Sequence, residues 1–191
     1  MKRLALTLLA AVALPGIAHA QATDTATADV GVSGTVARLC MLGTPTPAPV
    51  DVGQMANTSG ARVGKIAVIA PRTVTLPGSF CNFAGSAITV TATALVSNDA
   101  SAVEPGFAKA VNYTAEVTNW AAGTASVTTA ATAGGGSPTA SATGPTQPAP
   151  KVADLNVTLS NFTAPSDFLL TAGAYSGLVV VKLGPVASGG E

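Results

Sequence analysis

The sequence predicts an all-β fold, an immunoglobulin-like antiparallel β-sandwich with one disulfide. Valine and threonine, whose branched side chains favour extended backbone, recur in segments where apolar and polar residues alternate. Twenty glycines and thirteen prolines interrupt the chain too often for long helices. Short alternating segments separated by turn residues are typical of a sandwich, and a jelly roll or a small barrel would show the same pattern.

The first twenty residues have the order of a secretory signal peptide. A basic start of three residues precedes an apolar run over 4–14, and the segment ends at Ala18-His19-Ala20. We expect cleavage after Ala20 and export to the periplasm, the cell surface or the medium. The apolar run is too short to cross a bilayer of about 30 Å as a helix. We therefore expect no transmembrane segment in the mature chain.

Loss of the signal peptide would remove histidine chemistry, because His19 is the only histidine in the chain. Without it the chain has no Ser-His-Asp or Cys-His relay and no histidine-ligated zinc. A net charge near zero, with 9% charged residues, gives no basic surface for nucleic acid. We therefore expect a protein that is not an enzyme and that binds no cofactor, metal or nucleic acid.

Cys40 and Cys81 are the only cysteines. In an exported chain with no other thiol, an intramolecular disulfide between them is expected. Closing a loop of about forty residues would stabilise the fold by about 4 kcal/mol in the chain-entropy model. The pair lacks the CxxC spacing of a redox or metal motif, which disfavours a reactive or metal-binding thiol pair.

The first half of the chain predicts short strands between turns. Segment 30–42 is the first expected strand, and the proline-rich stretch 43–62 predicts a loop. One face of this strand would carry Val30, Val32, Gly34, Val36 and Arg38. Three further strands are expected, because each is short, apolar or alternating and ends near proline or glycine. They cover 65–70, 72–76 and 79–83, the last of which carries the second cysteine.

The second half predicts the clearest strands. Segments 87–97, 110–120 and 152–159 alternate clearly between apolar and polar residues, and 124–131 is a weaker candidate. The Gly/Pro/Ser/Thr-rich stretch 132–150 predicts a mobile loop, since it offers little apolar area to bury. It could instead be a linker, although about forty residues after it are too few for a second core. The last expected strand covers 172–183.

These predictions give a simple domain organisation. We expect one sandwich domain over 30–185, preceded by the signal peptide 1–20 and a short flexible extension over 21–29. A flexible tail is expected over 186–191.

The order of features resembles the pilin-like subunits of the chaperone–usher pathway and the related spore coat protein U-type secreted proteins. The resemblance rests on Val32-Ser33-Gly34-Thr35-Val36 running into Cys40, on Cys81 about forty residues later, and on the final strand with Gly173-Ala174-Tyr175. It implies a disulfide between the first two strands of an incomplete sandwich. It also implies that a periplasmic chaperone, and then the N-terminal extension of the next subunit, supplies the missing strand.

The leading functional hypothesis is a structural protein of the bacterial cell surface that associates through β-strand edges. Its partners would be copies of itself or related subunits, with a periplasmic chaperone and usher as further candidates. Because the extension 21–29 offers mostly small side chains, a self-complete sandwich is the alternative. The predicted assembly edge comprises residues from the first and last strands: Val32, Gly34, Val36, Gly173, Tyr175, Val179 and Val181.

A secreted module that binds a polysaccharide or a surface partner is the other hypothesis. Loops 97–108 and 132–150 would form its contact region, and Trp120 could stack on a sugar, although covering the end of the sandwich is the simpler role for this ring. Asp99 and Glu104 lie in one polar loop, where we expect solvated carboxylates rather than a glycosidase pair. A calcium site is disfavoured, because the chain has no DxDxDG-type spacing.

Overall fold

The structure, a computed structural model, describes Thr25 and residues 27–186. The predicted signal peptide with its His19, and the last five residues of the predicted tail, lie outside the described residues. The chain divides into two compact units, an N-terminal unit Met1–Val36 and a sandwich unit Ala37–Glu191. Residues 27–36 of the N-terminal unit have no strand or helix, and all of them are exposed.

The sandwich unit confirms the predicted all-β class. Its described residues form strands and one 3-10 turn, Pro165–Asp167, with no α-helix. The strands are β1 Cys40–Met41, β2 Arg72–Cys81, β3 Ser86–Ala92, β4 Leu95–Ser97, β5 Phe107–Ala108, β6 Ala110–Thr118, β7 Ala125–Thr128, β8 Ala140–Thr143, β9 Lys151–Thr163, β10 Leu169–Leu170, β11 Tyr175–Ser176 and β12 Val179–Pro185.

Two antiparallel sheets make up the sandwich. The larger follows the order β1-β2-β9-β6-β4-β11, with β7 also paired to β6, and the smaller follows β12-β3-β8. A separate two-residue pair, β5 with β10, is parallel. The strands β3 and β4 are consecutive in the chain but belong to different sheets, so the chain crosses from one layer to the other at 93–94.

The core lies between the two sheets and follows from the alternation of the strands. Val90 of β3, Val111 of β6 and Leu155 of β9 are all fully buried. The opposite faces carry hydroxyls that pair across strands, as between Thr89 and Thr143 (Oγ–Oγ 2.8 Å). Such pairs stabilise a sheet by a few tenths of a kcal/mol to about 1 kcal/mol each. Much of the outer surface of the strands is therefore polar through hydroxyl groups rather than through charged side chains.

The predicted disulfide is confirmed, and it joins β1 to β2. Cys40 and Cys81 are directly opposite each other in the antiparallel ladder and are bonded through their sulfurs. The Asn82 side chain continues this pairing, since its Nδ2 donates to Ala37 O and its Oδ1 accepts from Leu39 N, each at 2.8 Å. The chain leading into β1 is thus fixed to the end of β2.

Several predicted boundaries were wrong. The strand expected over 30–42 is limited to Cys40–Met41, and 65–70 forms only isolated bridges at Lys65 and Ile66. Period-two alternation shows which residues would share a face, but a strand also needs a neighbour to pair with. Segments 72–76 and 79–81 form one strand, because a bulge absorbs Pro77-Gly78, and the strand ends at Cys81 rather than at residue 83.

Two further predictions, both in the second half of the chain, were wrong. The predicted loop 132–150 contains strand β8, whose small residues pair with β3. The predicted strand 172–183 divides into β11 and β12, which belong to different sheets. Gly177 lies at the division, and a Cβ on it would be only 2.8 Å from Ala94 O, so this close approach of two backbones requires glycine.

Candidate assembly site

An open apolar groove of about 590 Å³ lies at one side of the sandwich unit. Its floor consists of core residues from the larger sheet, and its two rims are the loop 42–52 and the residues 177–181. The floor residues are Val74, Leu76, Leu95, Tyr113, Val157, Leu159 and Phe162.

The floor of the groove is part of the hydrophobic core. Val74 and Val157 are opposite each other in the pairing of β2 with β9, and both belong to the main core cluster. Phe162 belongs to the same cluster and contacts the Tyr113 ring at a centroid distance of 5.9 Å. The groove therefore leads directly to the side chains that hold the two sheets together.

The first rim is the proline-rich loop that follows β1. Gly43 N donates to Ser79 Oγ at 3.0 Å, and Thr46 exchanges two backbone hydrogen bonds of 2.9 Å with Thr75. Pro45, Pro47 and Pro49 have no backbone N–H to donate, so this rim cannot form a continuous ladder with β2. The loop covers the edge of the core but does not add a continuous strand to the larger sheet.

The second rim is the edge strand β12. It pairs with β3 through seven consecutive residues, from Val179 opposite Ala92 to Pro185 opposite Ser86. Among the described residues no strand pairs with its other edge. Val179 and Val181 are half-buried and line the groove. An open strand edge presents unpaired backbone N–H and C=O groups to any extended segment that arrives there.

The groove carries no charged side chain among its described lining residues. The described lining includes one titratable group, the hydroxyl of Tyr113, which donates to Thr93 O at 2.8 Å. Burial raises the pKa of Tyr113 to about 12, because the phenolate would be poorly solvated there. The groove is therefore electrically neutral at ordinary pH.

The structure separates the residues predicted for the assembly edge into three places. Val179 and Val181 line the groove. Tyr175 lies in β11 at the end of the larger sheet, where its hydroxyl donates to Thr171 O at 2.8 Å, and Gly173 lies beside Ser97 in the same region. The third group, Val32, Gly34 and Val36, belongs to the N-terminal unit.

Sequence reasoning missed the floor and the proline-rich rim of the groove. The alternation predicts a strand at Val74 and Leu76, but an alternating pattern does not show which part of a buried face remains uncovered. The spacing of Pro45, Pro47 and Pro49 was a usable signal, because prolines at alternate positions exclude a regular ladder and are typical of sheet edges.

The residues weighed for ligand or metal chemistry have structural roles. Trp120 is 2% exposed and its Nε1 donates to Ser86 O at 3.4 Å, so the ring is not available to a sugar. The Asp99 carboxylate accepts hydrogen bonds from the Ser101 hydroxyl and backbone, which lower the pKa of Asp99. The described residues contain no cluster of three or more acidic, histidine or cysteine side chains suited to a metal ion.

Comparisons with protein-family models, curated proteins and solved structures found no match to this chain. The described residues include no helix of the length and hydropathy needed to span a membrane.

Proposed function

We propose that this protein is an exported, non-enzymatic structural subunit of the bacterial cell surface that assembles by strand addition at β12. The observation that carries the proposal is the open edge of β12 beside an uncharged groove whose floor is the core itself. An added strand would pair with β12 through its backbone and place alternate side chains on that floor. Strand addition would complete the smaller sheet and cover the core in one step.

The donor strand in this proposal is the segment 30–36 of a second copy. Val30, Val32 and Val36 share one face of an extended chain, and they are 84%, 93% and 88% exposed. Burying each valine would contribute roughly 1.5 kcal/mol or more. Gly34 occupies the same face, so the donor would be narrow at that position. A periplasmic chaperone that lends a strand would use the same edge before assembly.

The disulfide supports the exported location in this proposal. A bond between Cys40 and Cys81 persists in oxidising compartments, such as the bacterial periplasm, and is rare in the cytosol. Together with the basic, apolar and small-residue order of the first twenty residues, it favours assembly outside the cytoplasm. The apolar lining of the groove does not suit a polysaccharide, so the assembly role is the better supported of the two hypotheses.

Association of the full chain in solution, measured by light scattering, tests the proposal. We expect the wild-type chain to form dimers and longer polymers. Val181→Asp should abolish association by placing a charge in the groove, and Val32→Asp should abolish it by charging the donor. The control Val68→Asp should associate normally, because Val68 is fully exposed and does not line the groove.

A peptide experiment separates loss of assembly from loss of folding. The Val32→Asp chain keeps an intact groove, so a synthetic peptide of residues 27–36 should bind to it and raise its melting temperature. The same peptide carrying Val32→Asp should not. Normal association of both Val181→Asp and Val32→Asp, or failure of the peptide to bind, would overturn the proposal.

A further inference from the structure

We propose that a second surface, the outer patch formed by Leu39, Met41, Phe80 and Val152, packs against the groove rim of the neighbouring copy. This inference rests on the proposed function, because the donor segment determines which neighbour the patch meets. The contact would join the sandwich units of two neighbouring copies, in addition to the donated strand that links them.

The outer patch crosses three strands on the solvent face of the larger sheet. Met41 of β1 is opposite Phe80 of β2, and Phe80 is in turn opposite Val152 of β9. Directly opposite residues have their Cβ atoms about 5 Å apart, so the three side chains form one row. Leu39 lies two residues before Met41, immediately outside β1, and is 56% exposed.

This row departs from the pattern of the other outer faces. Several outer positions in other places hold hydroxyl pairs instead, such as Thr73 with Thr158 in the same two strands β2 and β9. In the outer patch Met41 is 54% exposed and Val152 is 73% exposed. Single exposed apolar residues are ordinary, but a contiguous apolar row at the edge of a sheet is typical of an interaction surface.

The short length of chain between the donor segment and the outer patch indicates that the patch meets the neighbouring copy that binds the donor. Only three residues, 37–39, separate the donor segment 30–36 from β1. Three extended residues span about 10 Å, and Asn82 holds Ala37 and Leu39 in place. A donor bound in a neighbour's groove therefore brings the rim of that groove close to the patch.

The groove rim is apolar at its exposed positions, as the outer patch is. Leu178 and Val180 are 62% and 48% exposed at the side of the groove where β12 begins. An apolar patch against an apolar rim needs no charge pairing, which agrees with the low charge of the chain. Burial of both surfaces would make the joint between copies stiffer and tighter than a donated strand alone.

Charge and polarity variants of Val152 test this inference. We expect Val152→Lys to weaken association of the full chain by about tenfold or more, and Val152→Thr to weaken it less, with both variants folded. The control Val68→Lys should have no effect, since Val68 is even more exposed than Val152 but lies outside the patch. The double variant Val32→Asp/Val152→Lys should bind the 27–36 peptide as tightly as the Val32→Asp chain does. The peptide contains no groove rim that could contact the outer patch.

The outcomes separate the two proposals. Unchanged association of Val152→Lys with unchanged peptide binding would overturn the outer-patch contact and leave strand addition standing. Weaker peptide binding by this variant would place its effect within the groove and would also overturn the patch contact. Failure of the peptide to bind and of the chain to associate would overturn strand addition and this inference together.

Discussion

At the scale of single residues, Gly43 shows how closely the first rim of the groove approaches the sheet. A Cβ at this position would lie 1.8 Å from Pro77 O, which is backbone and cannot rotate away. We expect Gly43→Ala to destabilise the sandwich by about 1–3 kcal/mol, because the loop must shift outward. Urea unfolding measures this loss. Gly134→Ala is the matched control, since its Cβ would meet nothing within 4 Å; equal stability of the two variants would contradict the argument.

Protonation of Asp167 should lower the stability of the sandwich, although only modestly, because its ion pairs are exposed to solvent. Asp167 accepts from Arg62 at 2.6 Å and from Lys65 at 2.9 Å, and these hydrogen bonds lower the pKa of Asp167 from 3.8 to about 2. A carboxyl with a lowered folded pKa contributes stability above its unfolded pKa and loses it as pH falls through the folded value. The contribution should therefore be complete above about pH 4 and lost towards pH 2.

The substitution Asp167→Asn tests this dependence. Asparagine tolerates the left-handed backbone of Asp167 (φ 51°), so mainly the charge is removed. We expect lower stability at pH 7 and a smaller decrease between pH 4 and pH 2 than in the wild type, both measured by urea unfolding. Glu104→Gln, which removes an exposed carboxylate outside these ion pairs, should retain the wild-type decrease. If the Asp167→Asn variant lost as much stability between pH 4 and pH 2 as the wild type, the loss could not be due to protonation of Asp167.

At the scale of elements, β1 depends on its disulfide. A two-residue strand contributes little pairing of its own, yet it carries the first rim of the groove. We expect the double variant Cys40→Ala/Cys81→Ala to lose about 4 kcal/mol, because a loop with a sequence separation of 41 residues is no longer closed in the unfolded chain. Urea unfolding measures the loss. Reduction of the wild type should produce a similar effect, and unchanged stability in both would contradict this account.

The elements also show which structural features follow from local sequence. The alternation of β6 and β9 and the pair Cys40–Cys81 are local or compositional signals, and they predicted the strands and the disulfide. The groove depends on the relation between β12 and the loop 42–52, which are far apart in the chain. Only Val179 and Val181 were predicted there, because an apolar residue in a last strand has the same pattern whether its edge is open or paired.

At the scale of the whole molecule, low charge determines how the proposed assembly should respond to salt. The chain has equal numbers of basic and acidic residues, and the described groove lining is uncharged. Salt screens interactions between exposed charges, so it has little to act on here. We expect the association constant to change by less than about threefold between about 0.05 M and about 0.5 M NaCl, measured by light scattering. A steep decrease with salt would indicate an assembly surface made of charged residues.

The disulfide has a further consequence for a chain of linked copies under tension. Each copy would be pulled through residue 37, which leads directly into β1, and two residues of pairing alone would peel away under a small force. The Cys40–Cys81 bond passes that force to β2, a ten-residue strand paired along β9. The covalent bond thus makes a two-residue strand a firm point of attachment for tension along such a chain.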